Sequence, residues 1–279
     1  MDRAPSSGQT PASIRMHQEV YGDGDPILCL HGLGANLFSW RHFITPFSQN
    51  NRLILVDFKG SGKSPKPRDT HYSIEEKADE IYNLILEQDL TNLTLMGNSL
   101  GGAVALLLAI RLGENNPGRL SKLVLIDSAG DKKYVPGHLK LLRSIFGVSI
   151  MYLTPSKLAA RMTLRMCYFD SKLITKEQVE AYAAPIASPG GRHALLQTAR
   201  RCIPANADDL IAKVSGITVP TLILWGREDQ VIPLKVGELL HQLIPKSRLV
   251  IIERCGHVPQ EEKPTETIAL ISEFLTTTA

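Results

Sequence analysis

Six short apolar runs, each stopping at a turn, constrain this chain more than any other feature of its sequence. They are Pro26–Leu30, Arg52–Val56, Leu93–Met96, Leu123–Ile126, Thr221–Trp225 and Ser247–Ile252. Each has the length of a strand and is apolar along most of it, rather than at alternate positions. Helical patterns lie between them. Ser73 followed by Glu76 forms a capping box that opens a helix running to about Gln88, and Ala103–Leu112 is an Ala/Leu-rich segment ended by Gly113 and an Asn-Asn-Pro-Gly turn. Strands buried on both faces, alternating with helices, imply an α/β fold built on a mostly parallel sheet.

From about Gly130 to Asn206 this grammar changes. Strand-like runs vanish and amphipathic segments near 138–152, 156–168, 175–184 and 190–202 take over, punctuated by Pro136, Pro155, Pro185, Pro189 and Pro204. The expected organisation is therefore a core made of 13–130 and 207–279, interrupted by an all-helical insertion at 131–206. Residues 1–12, polar and rich in Pro, Ser and Gly, read as a disordered leader.

Composition narrows the function classes. The 279 residues carry a formal charge of only +3, with no Lys/Arg block, which argues against a nucleic-acid partner. Cys29, Cys167, Cys202 and Cys255 are scattered without a C-x-x-C spacing, so neither a zinc site nor a disulfide framework is expected. With no signal-peptide pattern and no apolar run of membrane-spanning length, the chain reads as soluble and cytoplasmic, its oligomeric state unspecified. Gly62-Lys63-Ser64 resembles the tail of a phosphate-binding loop, but Asp57 stands where that loop needs its first Gly. Gly32-Leu33-Gly34 reaches Leu37 where a dinucleotide fingerprint needs Gly, and no H-E-x-x-H pattern occurs. No cofactor and no metal is expected.

The chemistry points to Gly97-Asn98-Ser99-Leu100-Gly101. A G-x-S-x-G match alone turns up by chance in roughly one chain of this length in ten. Here it follows the Leu93–Met96 strand and leads into the Ala103–Leu112 helix, the strand-turn-helix setting that pushes a serine hydroxyl out of a sheet. A nucleophile held at positive φ crowds its neighbours, which explains Gly at 97 and 101. The following helix aims its N-terminus at the reaction centre and puts the Leu100 N–H where an oxyanion would form. Ser needs a general base, and His257 follows the last strand in a Gly-containing turn. Two carboxylates compete to orient it, Asp229 and Asp127, both at strand ends. His17, His42, His71, His138, His193 and His241 fit solvated or packing roles better.

These residues resemble the α/β-hydrolase family over nearly the whole chain from about Pro26. His31-Gly32-Leu33-Gly34 looks like its oxyanion loop, and Asp57-Phe58-Lys59-Gly60-Ser61-Gly62-Lys63-Ser64 is similar to its D-x-x-G-x-G-x-S loop. Gly226-Arg227-Glu228-Asp229 and Gly256-His257 resemble its acid and histidine turns. The resemblance implies an eight-stranded sheet with a helical cap, and a triad in the order Ser99, Asp229, His257. It favours Asp229 over Asp127 and implies oxyanion donors at the Leu33 and Leu100 amides, with Gly34 as the substitute for Leu33. Glu228 should face away from the histidine.

The implied activity is hydrolysis of small to medium uncharged carboxylic esters through an acyl-enzyme on Ser99. The elbow also resembles the C–C bond hydrolases that cleave meta-ring-fission products. Those tend to carry an aromatic residue after the histidine, where this chain has Val258, and a cap Arg for the dienoate carboxylate, for which Arg161, Arg165, Arg192, Arg200 and Arg201 are available. A slow-turnover ligand sensor on the same scaffold is the reading from a different class.

Overall fold

The computed structural model describes residues 15–204 and 207–276; the expected leader at 1–12 lies outside them. In chain order the elements are β1 (Gln18–Tyr21), β2 (Asp25–Leu30), a 3-10 segment (Leu37–Phe43), α1 (Ile44–Phe47), β3 (Asn51–Val56), α2 (Ile74–Glu87), β4 (Leu93–Asn98), α3 (Leu100–Asn115) and β5 (Leu120–Ile126). Helices α4 (Gly137–Arg143), α5 (Ile145–Leu153), α6 (Ser156–Cys167), α7 (Lys176–Ala187), α8 (Gly191–Arg201) and α9 (Ala207–Lys213) come next. The chain closes with β6 (Thr221–Gly226), α10 (Lys235–Leu243), β7 (Ser247–Ile252), α11 (Pro259–Glu262) and α12 (Pro264–Thr276).

The strands form one sheet in the order β1-β3-β2-β4-β5-β6-β7, parallel except for β1, which runs antiparallel to β3. Alternate residues of each strand feed two apolar layers. On one side Leu28, Ile54, Leu95 and Leu123 pack with residues of α2, α3 and α10. On the other, Ile27, Leu53, Met96 and Val124 pack with Trp40, Phe43 and the Ile271–Phe274 face of α12. Coverage of both faces is what the continuous apolar runs require.

The sheet has seven strands among the described residues, where eight were expected. Its antiparallel edge strand is β1. It is only four residues long, and Glu19 holds Lys63 at 3.1 Å and the Tyr21 hydroxyl at 2.7 Å. A short, charged edge is a poor template for a further strand.

The helix expected near 138–152 is two helices. Ser144 interrupts it in extended conformation, and its hydroxyl accepts the Gly147 N–H at 3.0 Å. The two pieces fold so closely that a Cβ on Gly147 would stand 1.9 Å from the Leu141 carbonyl oxygen. Pro185, expected as punctuation, sits inside α7, which continues to Ala187. All four cysteines are unpaired. Among the described residues no helix is long and apolar enough to cross a membrane.

Candidate active site

Parallel strands deliver their C-terminal ends to one edge of the sheet, and the sequence-selected residues gather there. Ser99 follows β4, Asp127 follows β5, Asp229 follows β6, His257 follows β7, and the His31–Gly34 turn follows β2.

Ser99 has φ 55° and ψ −116°, a conformation rarely adopted by a residue with a side chain. Backbone bonds on both sides hold it there. Its N–H donates to Ile126 O at 3.1 Å, and its carbonyl accepts from Ala103 and Ala129 at 3.1 and 3.0 Å. The turn is tight enough that a Cβ on Gly97 would lie 2.3 Å from the Gly101 carbonyl oxygen, and one on Gly101 would lie 2.1 Å from that of Leu30. Glycine is needed at both positions for lack of space.

Asp229 and His257 are joined at 2.7 Å between Oδ2 and Nδ1. Both are nearly inaccessible, at 8% and 4% exposure. The other carboxylate oxygen of Asp229 accepts the amides of Val231 at 2.7 Å and Ile232 at 3.0 Å, so the acid is fixed by its own turn. Nδ1 donates to a carboxylate acceptor, so Nε2 of His257 is left with its lone pair, the form a general base needs.

Asp127 occupies a different role in space. Its Oδ1 accepts the Gly226 N–H at 3.0 Å, tying β5 to β6, while Oδ2 has no hydrogen-bond partner among the described residues. Burial, reinforced by the neighbouring Asp229, pushes its carboxyl well above the usual range. Asp127, Asp229 and His257 each offer an oxygen or nitrogen within 4.8 Å of the others. In this set the His257 nitrogen that faces Asp229 carries hydrogen, so it has no lone pair to offer a cation. Glu228 points to the histidine turn without reaching the ring: its carboxylate accepts the Cys255 N–H at 2.9 Å.

The turn after β2 is closed by Ala35 N–H to Gly32 O at 3.2 Å, with Gly34 at φ 73°. The Leu33 amide, at the first corner of this turn, stays out of that bond. His31 holds the turn from behind. Its Nδ1 donates to Gly32 O at 2.8 Å and its Nε2 accepts from Phe58 N at 3.2 Å, while burial lowers its pKa and keeps it neutral. The Leu100 amide opens α3, where the helix supplies no acceptor for it. Ser99, His257, Leu33 and Leu100 border a single cavity of about 170 Å³. Its remaining wall is mostly apolar, with Leu139 from α4 and Thr163 and Cys167 from α6. None of the five arginines considered from sequence borders it. Lys132 is the one Lys or Arg at its wall among the described residues, and it is paired with Asp208.

Two positioning residues escape a reading of motifs. Asn98 Nδ2 donates to Ile126 O at 3.1 Å and to His257 O at 3.0 Å, pinning the histidine turn to the elbow. Glu262 accepts the amides of Gly256 at 2.7 Å, Asp170 at 2.7 Å and Phe169 at 3.1 Å, clamping that turn to the end of α6. Asn98 lies inside the elbow motif, so its position was in view even though its partner was not. Glu262 carries no sequence signal, because all three of its partners are set by the tertiary fold.

The model of the alpha/beta hydrolase family matches residues 27–270. A 2-hydroxy-6-oxo-2,4-heptadienoate hydrolase of Pseudomonas putida is 30% identical over 261 residues, covering 91% of this chain and 90% of that protein. Among solved structures, a meta-cleavage product hydrolase from Pseudomonas fluorescens superposes with a TM-score of 0.79 at 26% identity, covering 94% of each chain. A thermophilic esterase from Thermogutta terrifontis gives 0.78 at 26% identity, covering 96% of this chain and 95% of the other.

Proposed function

This chain belongs to the alpha/beta hydrolase family, and from that premise we propose that it hydrolyses small to medium uncharged carboxylic esters through an acyl-enzyme on Ser99. The observation that carries the reading is the buried 2.7 Å Asp229–His257 pair beside a mostly apolar cavity that Ser99 also borders. His257 Nε2 takes the proton as Ser99 Oγ bonds to the ester carbonyl carbon. The oxyanion is received by the amides of Leu33 and Leu100, the latter at the positive end of α3. His257 returns the proton to the departing alcohol, then activates the water that releases the acid and regenerates Ser99. Asp229 orients the imidazole and stabilises its charged form. In this reading α4–α8 form a cap over the site.

A second reading has its own support. The Pseudomonas putida relative is a dienoate hydrolase by name, and C–C cleavage would use the same elbow. Such a substrate brings a carboxylate into the cavity, and among the described residues the wall offers Lys132 alone, already paired with Asp208. An uncharged ester leaves no anion to be matched, which favours the first reading. Steady-state kinetics on p-nitrophenyl acetate, butyrate and octanoate beside a 2-hydroxy-6-oxo-dienoate separate the two. The ester reading expects the best ester to exceed the dienoate in kcat/KM by about tenfold or more, with turnover lost in Ser99→Ala. A dienoate preference of that size would instead establish C–C hydrolysis.

A further inference from the structure

The helices α5 and α6 present an outer face unlike the rest of the surface. On α5, Phe146, Ile150 and Leu153 recur at helical spacing with 77%, 50% and 83% exposure. On α6, Leu158, Met162 and Met166 repeat the pattern and are also exposed. Two apolar stripes of this kind, on helices consecutive in the chain, are more than the scattered single residues common on protein surfaces.

The charge along this stretch of sequence is one-sided, although Lys132 pairs with Asp208 and Lys157 with Glu180 from other helices. From Lys132 to Phe169 the sequence holds seven Lys or Arg residues and no Asp or Glu. That stretch alone carries +7 against +3 for the whole chain, so the remainder is net acidic. The cations are dispersed along the helices, so the sequence shows no basic block. On α6, Arg161 and Arg165 form the row next to the Leu158–Met162–Met166 stripe, and both are exposed. Among the described residues, no carboxylate forms an ion pair with Lys133, Lys140, Arg143, Arg161 or Arg165. The inward side of α6 faces the site: Ala160 and Leu164 are packed in the core that α6 shares with α7, and Thr163 and Cys167 border the cavity.

We propose that the α5–α6 face docks on a lipid bilayer carrying anionic headgroups, with Phe146, Ile150 and Leu153 entering the interface and the surrounding cations meeting the headgroups. Exposed apolar side chains flanked by Lys and Arg are the combination that binds such an interface. The charge pattern selects this occupant over a second copy of the chain. A two-fold pairing through this face would bring together two sets of the five cations that have no carboxylate partner among the described residues. The net-acidic remainder further orients the molecule with this face toward the membrane. Docked in this way, the outer side of the cavity wall lies against lipid, where apolar esters concentrate. The docking itself needs no substrate, so it stands or falls separately from the ester reading.

Vesicle co-sedimentation of the full chain tests it. The expected result is binding to phosphatidylcholine vesicles with about 30 mol % phosphatidylserine, at least about tenfold tighter than to pure phosphatidylcholine and weakened severalfold by raised salt. Arg161→Gln and Arg165→Gln should each lower partitioning by about fivefold. Phe146→Ser with Leu153→Ser should lower it by about tenfold or more, with an unchanged thermal midpoint showing that the variant is folded. Failure of the wild type to bind either vesicle would overturn the proposal. So would equal binding to both that the substitutions leave untouched. A wild-type dimer dissociated by Phe146→Ser/Leu153→Ser, with no vesicle binding, would reassign the face to contact between copies.

Discussion

Asp127 and Asp229 share one corner of the sheet edge, and their surroundings give them different hydrogen-bond partners. Asp229 accepts two backbone amides and the His257 ring N–H, whereas Asp127 accepts a single amide from Gly226. Burial beside Asp229 raises the Asp127 carboxyl well above its usual range, and its bond to Gly226 N–H ties β5 to β6. Asn at position 127 preserves the acceptor for Gly226 N–H, and Asp127→Asn is expected to cost less than about tenfold in kcat. Asp229→Asn would present an amide to Nδ1, disturb the tautomer and cost on the order of 10³–10⁴. Turnover of p-nitrophenyl butyrate by the two variants checks this, and a large loss confined to Asp127→Asn would exchange the roles. At this scale the sequence was readable wherever a residue sits in a short turn motif, as Ser99, Asp229 and His257 do. Asn98 and Glu262 stayed hidden because the groups they hold are brought to them only by folding.

Among the elements, α2 shows how much a pattern can specify and what it leaves out. Its start follows from Ser73 and Glu76, whose reciprocal bonds to backbone amides at 3.1 and 2.8 Å close the capping box. Its apolar stripe runs through Ile74, Ala78, Ile81 and Ile85, and Lys77 lies within that stripe at 2% exposure. The Lys77 ammonium donates to Lys59 O at 3.0 Å and lies over the rings of Phe58 and Tyr72. Burial pulls its pKa from 10.5 to about 8, and pushes that of Glu80, one turn along, from 4.5 up to about 7. Between about pH 8 and 10.5 the unfolded chain therefore binds more protons at Lys77, and stability rises with pH. Between about pH 4.5 and 7 the folded chain binds more at Glu80, and stability falls. Together they predict a stability minimum between about pH 7 and 8. Urea midpoints across pH should trace this curve, and Lys77→Met should flatten its alkaline side. An unchanged alkaline ramp in that variant would show that Lys77 is not its source.

The same contrast separates the strands. Those buried on both faces announce themselves as continuous apolar runs, whereas β1, Gln-Glu-Val-Tyr at the sheet edge, has a polarity that any surface loop shares. The break between α4 and α5 was equally silent. It depends on Ser144 capping the second helix and on the close approach at Gly147, neither of which alters the hydrophobic period.

For the molecule as a whole, architecture was more legible than specificity. Alternating strands and helices fix a parallel sheet, and a parallel sheet fixes which edge collects Ser99, Asp229 and His257. The cavity depends instead on which of many similar apolar residues face inward. Leu139 lines it while Phe146 and Leu153 face outward, and nothing in their chemistry distinguishes them before folding. Ser99, Asp229, His257 and Leu33 come from four loops far apart in sequence, so the reactivity of Ser99 should belong to the folded chain alone. Intact-protein and peptide mass spectrometry after exposure to a fluorophosphonate ester tests this most directly. The account predicts one adduct per chain on the peptide containing Ser99, absent in Ser99→Ala, sharply slowed in His257→Ala and lost in urea. An unmodified chain, or an adduct that persists in Ser99→Ala, would contradict it.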